Sequence, residues 1–125
     1  MIKLDEKSIY NLPFHDSDFL GIKISQRDNG ETDLLLYISF CKNEFEDLSK
    51  EYLEIIKSDG SVSLLFENCQ WFNLNFFSNR TQRDEIDYIQ FLTDSKTLKD
   101  GQKYIEVVFT SGSKLECIAE KFDLI

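Results

Sequence analysis

The only histidine of the chain, His15, stands in the run Pro13-Phe14-His15-Asp16-Ser17-Asp18. An imidazole beside a carboxylate is the pairing used by general bases and by metal ligands. The same residue types also serve a structural purpose, because Asp and Ser side chains placed before a strand cap turns and hold the backbone as it enters the sheet. The rest of the chain decides little in favour of catalysis. Multi-histidine zinc and iron sites need more than one His, and Cys41, Cys69 and Cys117 are scattered with no C-x-x-C spacing. The phosphate, dinucleotide and serine-hydrolase signatures G-x-x-x-x-G-K-S/T, G-x-G-x-x-G and G-x-S-x-G do not occur. No cofactor and no metal are expected, and the chain is read as not an enzyme.

The second group able to do something is acidic. Glu44, Glu46, Asp47, Glu51 and Glu54 follow one another closely. From Asp28 to Glu67 ten acids stand against Lys42, Lys50 and Lys57, so −7 of the net −9 lies in one third of the chain. This is either a solvated face or a landing patch for a basic surface. A chain of net charge −9 repels phosphate backbones and anionic membranes at long range, which argues against nucleic acid and membrane as partners and for a basic protein. Glu44, Glu46, Asp47 and Glu51, with Asp16 and Asp18, are the candidate partner-binding residues.

The elements that must position these residues are mainly strands. Leu20, Ile22 and Ile24 alternate with Gly21, Lys23 and Ser25, the period of a strand with one buried face. Asp28-Asn29-Gly30-Glu31 reads as a hairpin turn into a return strand over residues 32–41. There Leu34, Leu36, Ile38 and Phe40 share one face while Leu35 and Tyr37 make the other apolar, as in a central strand. Residues 42–58 are ambiguous: Phe45, Leu48, Tyr52, Ile55 and Ile56 fall at helical spacing, yet Tyr52 to Ile56 is β-prone and Asp59-Gly60 signals a hairpin. The reading adopted is a short helix or helical turn around 44–51 followed by a strand over 52–57. From Val62 the alternation of Val62, Leu64 and Phe66, broken at Asn68-Cys69-Gln70 and resumed at Phe72, Leu74 and Phe76, predicts two strands or one long bent one. A further strand is predicted over 86–93, between polar loops at 78–85 and 94–102. A final hairpin pairs 104–110 with 114–122 around Ser111-Gly112-Ser113.

The sum is a mainly β, alternatively α+β, single domain over residues 1–125. It is expected to be a twisted antiparallel sheet or partly open barrel of seven or eight strands with one or two short helices. Eleven Phe, five Tyr and one Trp within a chain that is 42% hydrophobic supply an aromatic core, to which Trp71 is assigned. Residues 1–18 read as an irregular lead-in. Each cysteine lies in an apolar stretch and is expected to be a buried free thiol. The opening Met1 to Glu6 is mixed and charged, and no apolar run nears the roughly 20 residues that span a bilayer, so the expected location is the cytosol. The Asn79-Arg80-Thr81 sequon then carries no weight.

The His15-Asp16-Ser17 opening that leads into a hairpin, the segment Leu64-Leu65-Phe66-Glu67-Asn68-Cys69 and the closing hairpin resemble small bacterial β-rich proteins grouped with immunity proteins of polymorphic toxin systems. The resemblance implies a non-enzymatic antidote that binds and blocks a toxin, and it carries no catalytic residue with it. The reading that follows is an immunity-type inhibitor of a basic toxin or nuclease domain. Two alternatives stand beside it. A phage or mobile-element inhibitor mimicking nucleic-acid charge would carry its acids in regular rows. A small ligand-binding or enzymatic barrel would place His15 and Asp16 in a concave pocket.

Overall fold

The computed structural model describes residues 1–77, 83–93 and 98–125. In chain order the elements are β1 (Ile2–Lys3), α1 (Glu6–Asn11), β2 (Asp18–Gln26), β3 (Thr32–Ser39), α2 (Lys42–Phe45), α3 (Lys50–Leu53), β4 (Ser61–Asn75), β5 (Ile86–Leu92), β6 (Lys103–Phe109) and β7 (Lys114–Leu124). Among the described residues they make one seven-stranded antiparallel sheet of order β2-β3-β4-β7-β6-β5, with β1 added on β7. The sheet is not closed into a barrel. Its two edges nevertheless touch at one end, where Asp18 bridges Glu85.

Turn chemistry sets the hairpins. Gly30 (φ 89°) closes β2 onto β3, with the Arg27 carbonyl accepting from Gly30 and the Glu31 carbonyl from Arg27. Gly112 (φ 89°) does the same between β6 and β7, below the Phe109 carbonyl. The central strands follow their alternation. Leu34, Leu36 and Ile38 on β3 are fully buried opposite Phe66, Leu64 and Val62 on β4. β4 is the one long bent strand, with a register shift between Cys69 and Trp71 and Asn68 at φ 51°. Phe66 stacks on Phe122 of β7 at a centroid distance of 4.7 Å.

Four expectations are corrected. Residues 1–18 are not irregular. Asp5 caps α1 by accepting from the Ser8 amide at 2.8 Å while its own amide donates to Ser8 Oγ at 2.7 Å. Pro13 lies just past the C-cap Leu12, and Leu4, Leu12 and Phe14 are buried in the core. The strand expected over 52–57 does not form. Residues 50–53 are helical instead, and the Ile55 and Ile56 amides donate to the Tyr52 carbonyl. The helical stripe of Phe45, Tyr52 and Ile56 packs on the core, and this burial outweighs the β preference of the same residues.

The buried face expected for Leu20, Ile22 and Ile24 also fails. β2 is an edge strand, and Leu20 and Ile24 are 41% and 50% exposed. A bulge between Phe19 and Gly21 inserts Leu20, so that Phe19 and Ile22, three apart, both pack on the core. Trp71 is half-buried rather than core, edge-on to Tyr104 across β7 at 6.0 Å. The loops expected over 78–85 and 94–102 lie partly outside the described residues, and the sequon at Asn79 lies wholly outside them.

Candidate partner-binding site

The edge contact between β2 and β5 builds the site. The Ser17 hydroxyl donates to the Phe14 carbonyl at 2.6 Å and is fully buried, which turns the chain below His15. Asp16 then sits at φ 68°, a left-handed conformation that Asp tolerates better than most residues. Its amide donates to the Ile86 carbonyl, the Ile86 amide donates to the Ser17 carbonyl, and the Phe19 amide donates to the Asp84 carbonyl. Residues 16–19 therefore run against 84–86 as one short antiparallel ladder, and their side chains share one end of the sheet.

His15 is pinned there on both ring nitrogens. Nδ1 lies 2.9 Å from the Asp87 carbonyl and 3.6 Å from the Asp87 carboxylate, and Nε2 lies 3.4 Å from Asp16 Oδ1. The Asp87 carbonyl, then the charge of Asp16, raise the His15 pKa above its ordinary value, with smaller contributions from Asp87 and Glu44. The Nδ1 N–H thus holds the turn by donating to the Asp87 carbonyl, and the protonated ring also forms an ion pair with Asp16. His15 is exposed and lines none of the larger cavities among the described residues.

Cys41, expected to be buried, is exposed at the start of α2, with its thiol 3.5 Å from the Asp16 carbonyl. Desolvation at the sulfur, then the charges of Glu44, Asp18, Asp16 and Glu85, push this thiol up. Its position against the sheet end also brings Glu44 to the site. The candidates Asp16, Asp18 and Glu44 are thus gathered from two segments far apart in sequence. Glu46, Asp47 and Glu51 are exposed on the connection that carries α2 and α3, and among the described residues no hydrogen bond or ion pair joins them to His15.

Glu85 and Asp87 are members that sequence reasoning missed. The dense acids of Asp84-Glu85-Ile86-Asp87 were the available signal, but nothing local says that this run lies against residues 16–18. Arg83 pairs with Asp18 at 3.9 Å, and beside His15 it is the one cation ion-paired to an acid of this group among the described residues. The acids of the β2–β3 hairpin differ. Arg27 holds Glu31 at 2.8 Å and Asp33 at 2.9 Å and approaches Glu67 at 3.9 Å, while Lys121 lies 3.6 Å from Glu67. The charge-dense third of the chain is therefore partly neutralised at Glu31, Asp33 and Glu67, whereas among the described residues no ion pair is formed by Glu44, Glu46, Asp47 or Glu51.

Among the described residues no group of His, Cys, Asp and Glu is arranged to hold a metal ion, and no helix is long and apolar enough to cross a membrane. Comparison with protein-family models, with curated proteins and with solved structures finds no match.

Proposed function

We propose that this chain is a non-enzymatic binding protein, an immunity-type inhibitor that docks its acidic sheet end on a basic toxin domain and blocks it. The observation that carries the reading is the convergence of Asp16, Asp18, Glu44, Glu85 and Asp87 around His15 and Cys41, answered among the described residues only by His15 itself and by Arg83. Like charges brought together by folding cost stability, and a basic partner relieves that cost on binding. Glu46, Asp47 and Glu51 lie outside this group and act as flanking charges that steer the encounter. A compact cluster rather than regular rows favours a protein surface over the imitation of a nucleic-acid backbone.

The test is surface-plasmon kinetics against the protein encoded beside this one, at low and high ionic strength. Neutralising the site with Asp16→Asn, Asp18→Asn and Glu44→Gln together is expected to slow association about tenfold at low salt and much less at high salt. Asn is chosen at position 16 because it keeps the left-handed backbone. An association rate indifferent to salt and to these substitutions removes the reading.

A further inference from the structure

The two edges of the sheet are not equally protected. β2 carries Lys23 within it and Arg27 just after it, and a bulge distorts its first half. β5, Ile-Asp-Tyr-Ile-Gln-Phe-Leu, contains no Lys, Arg or Pro. Which of its backbone groups are free follows from the hydrogen bonds of β6. The Phe109 amide donates to Ser113 on the β7 side and the Thr110 amide to Glu85 on the β5 side. Alternation back along β6 leaves Val108, Glu106 and Tyr104 bonded to β5, opposite Tyr88, Gln90 and Leu92. Ile89 and Phe91 therefore aim their N–H and C=O groups away from the sheet, and among the described residues nothing takes them up. Ile86 also points outward, beyond a bulge, and it is satisfied by Asp16 and Ser17. The chain's own segment thus already fills the first rung of this edge.

Beyond that rung the edge opens into a groove. A cavity of about 370 Å³ lies between α1 (Glu6, Ile9, Tyr10) and β5 (Tyr88 to Phe91). A second, of about 260 Å³, meets it at Glu6 and Phe91 and continues past Asp5 to Tyr104. Tyr10 is 90% and Tyr88 44% exposed, so the walls offer aromatic surface to a ligand. Asp5 and Glu6 on one wall face Lys103, the one lining cation among the described residues, and Asp87 stands at the His15 end.

We propose that this groove receives an extended, lysine- or arginine-bearing segment of a protein partner, which adds as a strand on Ile89 and Phe91 and continues the ladder begun by Asp16 and Ser17. The span from Tyr88 to Leu92 is about 13 Å, room for a segment of about five residues. Alternate apolar side chains of the segment pack between Tyr10 and Tyr88, and the basic ones face Asp5, Glu6 and Asp87. The acidity of the groove argues against a second copy of this acidic chain as the occupant. The inference rests on the reading above that the partner is basic, and it names how that partner is held.

The probe is a capped peptide of alternating valine and lysine, titrated into the full isotope-labelled chain, with amide hydrogen exchange read residue by residue. Saturable binding is expected to slow exchange at Ile89 and Phe91 by about tenfold or more. Glu6→Gln and Tyr10→Ala, both at exposed positions, are expected to weaken it several-fold with an unchanged circular dichroism spectrum. A valine–glutamate peptide is expected not to bind. Binding that leaves exchange at Ile89 and Phe91 unchanged, or that does not distinguish the two peptides, overturns the proposal. Sedimentation showing self-association that protects the same two amides also overturns it, in favour of a second copy. If the protein encoded beside this one associates in a salt- and carboxylate-dependent way yet leaves these amides unprotected, the groove proposal fails and the acidic-site reading stands. If the peptide protects them while that association ignores Asp16, Asp18 and Glu44, the acidic-site reading fails instead.

Discussion

His15 and Cys41 show how one fold-level contact sets the chemistry of single residues. Because the Asp87 carbonyl and Asp16 raise the His15 pKa, the protonated form is the one favoured by folding. The resulting stability is fully present below the unfolded pKa of about 6.5 and is lost as pH rises through the higher folded value. His15 should therefore titrate above its ordinary value by NMR, and the stability advantage over His15→Gln should shrink as pH rises through that midpoint. A midpoint at or below the ordinary value contradicts the pinned geometry. The thiols divide differently. Cys41 is exposed, whereas Cys69 and Cys117 are buried, and burial pushes the Cys117 thiol up. A thiol reagent at neutral pH should modify Cys41 alone in the folded protein, more slowly than a free cysteine because its thiol is pushed up, and all three cysteines after denaturation. Loss of native labelling in Cys41→Ser identifies the site.

The turn before β4 is the element on which the α2–α3 connection depends. Gly60 sits at φ 88° with its amide donating to the Lys57 carbonyl and its carbonyl accepting from the Phe40 amide. A Cβ there would fall 2.3 Å from the Phe40 carbonyl oxygen, whereas at Gly30 it would meet nothing within 4 Å. Gly30→Ala should thus cost about 1–2 kcal/mol for the left-handed backbone alone. Gly60→Ala should cost more, about 2–4 kcal/mol, since backbone has to move as well. Urea titrations of the two variants give the comparison, and equal costs would mean that the 57–61 turn relaxes freely. The same turn accounts for the misread strand over 52–57. Asp59-Gly60 does form a tight reversal into β4, but Tyr52 and Ile56 approach it from helical turns because that spacing puts both on the core.

The core ties the whole molecule together across long sequence separations. Phe122 of β7 stacks on Phe66 of β4, meets Phe91 of β5 edge-on at 6.1 Å, and accepts the Leu4 amide on its carbonyl at 2.8 Å. Its side chain thus joins the middle of the sheet to one edge, while its backbone carbonyl holds the amino-terminal segment. Phe122→Ala should cost about 3–5 kcal/mol and lower the urea midpoint without splitting the transition. Separate transitions for tryptophan fluorescence and far-ultraviolet circular dichroism would show that β4–β7 and the rest unfold independently. With 52% of the described residues in strands and 12% in helices, the folded spectrum should be strand-dominated.

Local chemistry was enough for the β character, the turns at Gly30 and Gly112, the buried row Leu34, Leu36 and Ile38, and an interruption near Asn68, though not for whether one strand or two carried it. These depend on period-2 alternation and on positive-φ turn residues, which neighbours in sequence decide. Helix α1 was also locally encoded, in Asp5 and Ser8 before Pro13, but six residues are too few to show a periodic stripe. Tertiary structure alone decided that β4 pairs with β7 and that β2 and β5 are the edges. It alone brought Asp16 and Asp18 beside Glu85 and Asp87, exposed Leu20, Ile24 and Cys41, and left Arg27 to neutralise one set of acids and not the other. Strand order and edge contacts arise from burying faces and satisfying backbone groups across tens of residues. An acidic run looks the same in sequence whether folding pairs it, scatters it or gathers it against another.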